Sequence, residues 1–269
     1  MAISKERARC GPVSNVEPFG DFKNIEKRFD LGGGEYLTAI EQLSLKLEKG
    51  QLISLLGPSG CGKTTFLRIV AGLERASAGE VRIEGRAISG PHPDFAFVFQ
   101  QPNLMPWRTV LENILFPLEI RRQRTQAGIE RAKELLDLVG LDGFESRYPS
   151  ELSGGMQQRV ALCRALVHDA RLLLMDEPFG ALDELKRMEM HDLLLSIRAR
   201  TNVSVLFVTH SISEAVYLSD VVAVFSRRPA TISKLIPIDL PYPRQHEMRY
   251  EAQFTEHERE ASRLLGIVR

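Results

Sequence analysis

A glycine-rich segment between residues 57 and 65 has the composition and spacing of a phosphate-binding loop. Its residues are Gly57, Pro58, Ser59, Gly60, Cys61, Gly62, Lys63, Thr64 and Thr65, which contain the pattern G-x-x-x-x-G-K-[ST]. Glycines let backbone N–H groups turn towards a phosphate, and a helix that begins here would add the positive end of its dipole. The pattern predicts that Lys63 reaches the β- and γ-phosphates of a nucleotide and that the Thr64 hydroxyl binds Mg²⁺. Cys61 is interpreted as a small side chain that fills the loop and not as a redox-active thiol.

Two adjacent carboxylates follow a second apolar segment. Leu172–Met175 is a short buried strand by composition, and Asp176 and Glu177 come directly after it. Ligands of parallel sheets bind at the carboxyl ends of the strands, where the phosphate-binding loop also lies. We therefore expect Asp176 to hold Mg²⁺ and Glu177 to activate the attacking water as general base. Without the loop, an exposed acidic pair at the end of a strand would be an equal alternative.

Two further polar side chains stand at predicted strand ends. Gln100 follows an apolar run and is expected to contact Mg²⁺ or the attacking water, with Gln101 as the rival for that role. His210 follows the run Val205–Thr209 and is expected to contact the γ-phosphate. A lone histidine is more often structural, so His210 gains its predicted role only from the neighbouring motifs.

A second anion-binding helix start is predicted near residue 153. Ser153 is a plausible N-cap, Gly154 and Gly155 would expose backbone amides, and an apolar helix follows Arg159. Such an end attracts anions. In isolation, the same residues would indicate only an ordinary capped helix.

These side chains need a scaffold of alternating strands and helices. Buried or alternating strands are predicted at 52–56, 81–83, 94–100, 172–175, 203–208 and 221–225, and helices at 63–73, 130–139, 184–200 and 213–218. This alternation is typical of an α/β fold with a parallel sheet. Residues 101–165 have a mostly helical pattern and are expected to form an inserted helical subdomain. The domain is expected to span 21–240, with a flexible tail at 1–20 and a short, irregular extension at 241–269.

Composition excludes several other classes of protein. The 269 residues include 35 Lys and Arg and 35 Asp and Glu, so no basic excess suggests binding to nucleic acid. The three cysteines are widely spaced, which argues against a disulfide framework and favours a reducing compartment. No apolar run is long enough to span a bilayer, and the first residues lack the apolar core of a signal peptide. The sequence predicts a cytosolic protein whose contact with a membrane would depend on a partner.

Taken together, the motifs resemble those of the ATP-binding subunits of ABC transporters. The resemblance covers about residues 21–240 and rests on motifs in the family's order: Gly57–Thr64, Gln100, Leu152–Arg159, Asp176-Glu177, Gly180–Asp183 and His210. It implies a P-loop NTPase core with a parallel sheet, an N-terminal antiparallel β subdomain and an inserted helical subdomain. It also implies a head-to-tail dimer of two copies, with ATP between the phosphate-binding loop of one and the signature segment Leu152–Arg159 of the other.

The resemblance assigns further residues to the nucleotide. Ser153, Gly154 and Gly155 would serve the partner's γ-phosphate, Gln158 would belong to the same surface, and Asp183 would link the two sites. Phe29 matches the aromatic residue that stacks on adenine, with Tyr36 as the alternative because Gly32–Gly34 blurs the alignment. The sequence departs from the family at Met156, where Gln is most often found, and at Gly180, where Ser is usual.

The segment after Gln100 resembles one group within the family. Pro106-Trp107 and His210–Ala215 are similar to the importers for nitrate, sulfonates, taurine or bicarbonate. This implies integral membrane permease subunits, a periplasmic or extracellular solute-binding protein, and a peripheral location at the cytoplasmic face of the inner membrane. Trp107 is either an anchor for the permease or a buried core residue. The alternatives for function are an exporter motor and a soluble ABC ATPase without a role in transport.

Overall fold

The folded chain can be followed from Glu17 to Val268. A computed structural model describes residues 17–268, so residues 1–16 of the tail predicted for 1–20 lie outside the described part. Phe19 is buried and Gly20 pairs with Leu47 in a sheet. The folded domain therefore begins before residue 21, and the predicted tail reaches too far.

The described residues contain ten strands, seven α-helices and two short 3-10 helices. The strands are β1 (Gly20–Gly32), β2 (Glu35–Leu47), β3 (Leu52–Leu56), β4 (Ala78–Ile83), β5 (Arg86–Ala87), β6 (Phe95–Val98), β7 (Leu172–Asp176), β8 (Ser204–Thr209), β9 (Val221–Phe225) and β10 (Ile232–Pro237). The helices are α1 (Lys63–Val70), α2 (Val110–Ile120), α3 (Gln126–Leu138), α4 (Gly154–Leu166), α5 (Glu184–Thr201), α6 (Ile212–Leu218) and α7 (Ala252–Leu264). The 3-10 helices are Pro149–Glu151 and His246–Tyr250.

The central sheet has six strands in the order β10-β9-β3-β8-β7-β6. All neighbouring pairs are parallel except β10 and β9, and the residues of β3 and β8 are all buried. Continuous apolar strands are expected where helices cover both faces of a parallel sheet. The register places Leu56 opposite Thr209 and Asp176 opposite Val208, so the carboxyl ends of β3, β7 and β8 meet at one edge. The predicted parallel α/β core is confirmed.

The N-terminal subdomain is a four-stranded antiparallel sheet in the order β2-β1-β4-β5. Gly32, Gly33 and Gly34 all have positive φ and close the β1–β2 hairpin, which few other residues could do without strain. Phe22 of this sheet meets Phe66 of α1 edge to face at 5.5 Å between ring centroids. The sheet thereby packs on the helix that follows the phosphate-binding loop. This subdomain also agrees with its prediction.

The segment between β6 and β7 is helical, as predicted. It contains α2, α3 and α4, whose apolar faces join the core under the central sheet. A capping box joins Thr109 and Glu112 at the start of α2. The buried Asn113 side chain donates to the carbonyls of Met105, Arg108 and Thr109 and accepts from the Met105 N–H. These bonds hold the loop that carries Trp107 against α2.

The C-terminal part is more regular than its sequence suggests. Residues 252–264 form α7, although an irregular extension was predicted for 241–269. Phe254 and Ala261 are both fully buried, and α7 packs on α6 and β10. The prediction was wrong because only these two buried side chains, seven residues apart, mark the inner face of an otherwise charged helix. None of the helices among residues 17–268 is long and apolar enough to span a membrane.

Candidate active site

The loop between β3 and α1 presents unpaired backbone amides. Gly62 precedes α1 with φ of 129°, and no side chain caps the first N–H groups of this helix. A Cβ atom on Gly57 would lie 2.9 Å from the Cβ of Phe225, so the loop can follow this path only with glycine there. An uncapped helix start beside a glycine-rich turn is a ready anion site. The local geometry therefore fits the nucleotide phosphates predicted for residues 57–65.

Lys63 is a buried cation held by the loop itself. Its side chain is almost fully buried, and Nζ donates to the carbonyl oxygens of Gly57 at 2.7 Å and Pro58 at 2.9 Å. Within the described residues, no carboxylate lies close enough to Nζ to form an ion pair. A buried ammonium group paired only with carbonyls attracts an incoming anion strongly. Cys61 is also buried, with Sγ 3.9 Å from Nζ, which agrees with its interpretation as a filler of the loop.

Asp176 and Thr64 meet at the end of β7. The Thr64 hydroxyl donates to Asp176 Oδ1 at 2.8 Å, which joins the loop to the carboxyl edge of the sheet. Burial raises the pKa of the Asp176 carboxyl, and the Thr64 hydrogen bond opposes this change. A hydroxyl and a carboxylate, both hard oxygen donors, are ligands that suit Mg²⁺. The residues present thus fit the predicted metal.

Glu177 and His210 form the second polar pair of the site. His210 Nδ1 lies 3.1 Å from Glu177 Oε2, and the His210 side chain is largely exposed. Glu177 has φ of 46°, which turns its side chain away from that of Asp176, and its N–H donates to the Val208 carbonyl at 3.0 Å. Glu177 and His210, both predicted to be catalytic, are thus in contact, and the ring of His210 can orient the carboxylate of Glu177.

Gln100 lies beside the turn that follows Glu177. A Cβ atom built on Gly180 would lie 3.5 Å from the Glu177 carbonyl and 3.8 Å from Gln100 Nε2. Gln101 is also exposed, but no such proximity places it at this turn. The position therefore favours Gln100 over Gln101 as the glutamine that contacts Mg²⁺ or the attacking water.

The signature segment forms a separate surface. Ser153 caps α4 by accepting from the Met156 N–H at 3.3 Å, and a Cβ atom on Gly154 would meet nothing within 4 Å. A Cβ atom on Gly155 would lie 3.3 Å from Lys186 Cδ, so α4 begins beside the first turn of α5. Among the described residues, no hydrogen bond joins Ser153–Gly155 to the loop at 57–65. This helix start is therefore separate from the phosphate-binding loop within the described part of the chain.

Asp183 caps α5 next to this surface. It accepts from the Lys186 N–H at 3.0 Å and from Lys186 Nζ at 2.6 Å. The Lys186 ammonium holds the pKa of the Asp183 carboxyl below its usual range. Asp183 is therefore exposed and its carboxylate is stabilised by Lys186.

Gln158 does not fit the nucleotide role predicted for it. Its side chain is buried, and Nε2 donates to the Phe99 carbonyl at 3.3 Å. At position 158 the chain has already entered the second turn of α4, which faces the core. The structure makes Gln158 a brace for the residue before Gln100, and we correct the prediction accordingly.

The two candidates for the adenine contact stand on opposite strands of the β1–β2 hairpin. Phe29 is half-buried, with Lys27 Nζ 4.8 Å from its ring centroid, whereas Tyr36 is well exposed. Their neighbours in register are Leu37 and Asp30, respectively. Either ring could stack on a base, so the assignment to Phe29 stays a prediction.

The sequence analysis did not identify two residues that hold loops of the site in position. Arg228 Nη2 donates to the Gly60 carbonyl at 2.5 Å and braces the phosphate-binding loop. Glu214 accepts a hydrogen bond from the Thr209 hydroxyl, directly before His210. Only Glu214 lies in a segment that the sequence singled out, and no local pattern marks Arg228. Such residues act through contacts between distant parts of the chain.

Fold and site together define a P-loop nucleotide-hydrolysing subunit, with Lys63 buried in a glycine-rich loop between β3 and α1. The ABC transporter family matches residues 40–180, and the chain belongs to this family as an ATP-binding, ATP-hydrolysing subunit. An uncharacterized ABC transporter ATP-binding protein of Methanocaldococcus jannaschii is 44% identical over 243 residues, which cover 90% of each chain. An aliphatic sulfonates import ATP-binding protein of Bacillus cereus is 45% identical over 208 residues, or 77% of this chain and 82% of the relative.

A solved structure agrees with this assignment. An ATP-binding cassette, solved as a dimer in a post-hydrolysis state bound to ADP and Pi, has a TM-score of 0.72 and 31% identity. The match covers 82% of this chain and all of the other. The predicted family, fold class and enzymatic activity are confirmed.

Proposed function

We propose that the predicted site residues other than Gln158 act on ATP. Lys63 and the loop amides bind the β- and γ-phosphates, and Glu177 accepts a proton from the attacking water. His210 orients Glu177 and is proposed to contact the terminal phosphate. The 3.1 Å contact between His210 and Glu177 carries this proposal, because it joins the base to the group that positions it.

The proposed metal is Mg²⁺, which Thr64 and Asp176 would hold, with Gln100 proposed as a further ligand. When bound, it neutralises charge on the phosphate oxygens as the leaving group departs. The Thr64 hydroxyl and Asp176 Oδ1 lie 2.8 Å apart. Two hard oxygen ligands on neighbouring elements suit a hard cation.

The proposed working form is a head-to-tail dimer of two copies. Ser153, Gly154 and Gly155 offer amides that their own chain does not use, and Asp183 stands beside them. Two copies related by a twofold axis would place this surface over the phosphate-binding loop of the partner. The dimeric state of the similar cassette bound to ADP and Pi supports this arrangement.

The motor is proposed to drive import of a small anion through a separate permease. The relative from Bacillus cereus is named for the import of aliphatic sulfonates. Trp107 supports a partner at the loop after Gln100, because it is 73% exposed and the alternative of a buried core residue is wrong. An exposed aromatic side chain next to a catalytic loop is a typical anchor in an interface. We place the chain at the cytoplasmic face of the membrane, with permease subunits and a solute-binding protein as partners.

Transport in vesicles tests this proposal. The chain is reconstituted with a candidate permease and solute-binding protein from the same genome, and uptake of labelled alkanesulfonate, taurine, nitrate and bicarbonate is measured. We expect ATP-dependent uptake of one of these anions. The Trp107→Ala variant should lose most of the uptake and retain the ATPase activity of the isolated chain. Export of the solute, or full uptake with Trp107→Ala, would contradict the proposal.

A further inference from the structure

The loop that carries His210 is held from both sides by one side chain. The Thr209 hydroxyl donates to the Glu214 carboxylate and accepts from the Ser211 N–H at 3.0 Å. Thr209, which precedes His210, is therefore held by Glu214. Ser211, which follows His210, is held by Thr209. Since His210 is largely exposed, its position depends on this backbone and not on packing of its own ring.

Glu214 is itself held by a buried histidine. Its Oε1 lies 2.8 Å from His191 Nε2, and both side chains are almost fully buried. His191 belongs to α5, so this contact joins the helix after Asp183 to the helix after His210. The His191 ring also packs edge to face on Phe179 at 5.7 Å between ring centroids, two residues after Glu177. His191 thus contacts Glu214, which holds the loop of His210, and Phe179, which closely follows Glu177 in the chain.

The C-terminal 3-10 helix completes the chain of contacts. Arg249 Nη2 lies 3.1 Å from His191 Nδ1, and the guanidinium lies over the Tyr217 ring at 4.6 Å from its centroid. The 3-10 helix is held at a second point, where His246 stacks on Tyr217 and contacts Asp192 at 2.8 Å. Arg249 therefore has a fixed position, although it is far from His210 in sequence.

The chemistry of these groups gives the chain of hydrogen bonds one direction. A guanidinium only donates, so His191 Nδ1 accepts from Arg249 and its proton lies on Nε2. Nε2–H then donates to Glu214 Oε1, which leaves Glu214 Oε2 to accept from the Thr209 hydroxyl. The Thr209 oxygen in turn accepts from the Ser211 N–H. Each group has only one role that satisfies both of its neighbours.

We infer that Arg249 is a positioning residue for ATP hydrolysis. It acts through His191, Glu214 and Thr209 to hold His210 against Glu177. The C-terminal segment is then part of the catalytic machinery of this chain and not only a cover for α5 and α6. This inference rests on the proposed role of His210.

Steady-state ATPase measurements on the full chain test the inference. Arg249→Ala should lower kcat about tenfold, because a small displacement of a catalytic group is enough for such a loss. The KM for ATP should not change, since no residue of the phosphate-binding loop is touched. Arg259→Ala is the matched control, because Arg259 lies on α7 and pairs only with the exposed Glu256. It should keep the wild-type kcat.

Two further measurements separate positioning from a loss of structure. Guanidinium chloride at a low, non-denaturing concentration should restore part of the kcat of Arg249→Ala and leave Arg259→Ala unchanged. In a Thr209→Val background, which already breaks the chain of contacts, Arg249→Ala should cause no further loss of kcat. A loss that is additive with Thr209→Val, or that guanidinium cannot restore while the melting temperature falls, would overturn the inference.

The His210→Ala variant separates the proposed role of His210 from the inferred role of Arg249. If His210→Ala hydrolyses ATP at the wild-type rate, the proposed role of His210 fails and the inference fails with it. If His210→Ala is slow and Arg249→Ala matches Arg259→Ala, only the inference is overturned and the proposed role of His210 stands.

Discussion

At the scale of single residues, the site depends on two neighbouring carboxylates that the backbone separates. Asp176 is the last residue of β7 and hydrogen-bonds to Thr64, whereas Glu177 leaves the strand with positive φ and turns to His210. The two carboxylates thereby have different partners, as the proposed roles of metal ligand and general base require. Adjacent residues can take different roles because the chain bends between them.

The general base can be tested with a neutral isostere. Glu177→Gln should lower kcat by about a hundredfold or more, because an amide cannot take a proton from the attacking water. ATP binding should persist, since Lys63 and the loop amides are unchanged. The measurement is single-turnover hydrolysis together with nucleotide binding by fluorescence. The control is Glu258→Gln on α7, and a wild-type rate for Glu177→Gln would show that another residue is the base.

Cys163 provides a test of burial that is independent of catalysis. Burial raises the pKa of its thiol to about 12, and only the thiolate reacts quickly with alkylating reagents. At pH 9 about one native molecule in a thousand would carry the thiolate, whereas roughly half or more of unfolded molecules would. In a Cys10→Ser, Cys61→Ser background we expect maleimide to label Cys163 only after unfolding, as measured by mass spectrometry. Equal rates in native and unfolded protein would contradict its burial.

At the scale of elements, the sequence predicts helices and strands that have a clear local pattern of apolar residues. It does not predict elements or contacts that lack such a pattern. Strands such as Leu172–Met175 are continuous apolar runs, and the chemistry follows at their ends, so both could be located. The helix predicted at 63–73 stops at Val70 because Gly72, with positive φ, ends the turn. Gln158 was misassigned because a motif does not tell which side of a helix faces the core.

The C-terminal elements show the same limit more sharply. The inner face of α7 consists of two buried residues, which is too few to give a periodic signal. The contacts of His191 with Glu214 and Arg249 join residues 23 and 58 positions away. Hydrogen bonds over such separations leave no mark in the local sequence. They could be found only once the fold had placed α5, α6 and the 3-10 helix together.

A glycine in β4 tests how closely the N-terminal sheet is packed. A Cβ atom on Gly79 would lie 2.2 Å from the Asn24 carbonyl oxygen, and φ there is +85°. Gly34 has a similar φ of +87° but open space around it, so it isolates the cost of strain alone. We expect Gly79→Ala to lower the free energy of unfolding by roughly 3 kcal/mol and Gly34→Ala by about 1 kcal/mol. Urea denaturation measures both, and equal losses would mean that β1 and β4 are not in close contact at this point.

At the scale of the whole molecule, the two anion-binding surfaces are unequal within one chain. The phosphate-binding loop lies near a buried lysine, the Thr64–Asp176 pair and the proposed base Glu177. The helix start at Ser153–Gly155 offers backbone amides, and within the described residues no hydrogen bond joins it to that loop. In the proposed dimer, the nucleotide bound to the loop of one copy would lie against Ser153–Gly155 of the other. The separation of the two surfaces within one chain is the reason for proposing that arrangement.

A charge placed on the signature surface tests this dimer directly. A Cβ atom on Gly154 would meet nothing within 4 Å, so Gly154→Asp should leave the single chain folded. Its carboxylate would stand at a helix start meant for the partner's γ-phosphate and would repel that phosphate. In a Glu177→Gln background, which slows hydrolysis and preserves the closed state, we expect ATP to drive dimerisation and Gly154→Asp to abolish it. Light scattering after size exclusion measures the mass.

Gly90→Asp is the matched control for this experiment, because Gly90 also has open space around a Cβ atom and no positive φ. It should dimerise as the parent does. Binding of a fluorescent ATP analogue to the Gly154→Asp monomer should persist, since the phosphate-binding loop belongs to the same chain and is untouched. Dimers that form equally well with Gly154→Asp would mean that the amides of α4 do not face the partner's nucleotide. The head-to-tail arrangement would then have to be replaced by one in which each chain closes its own site.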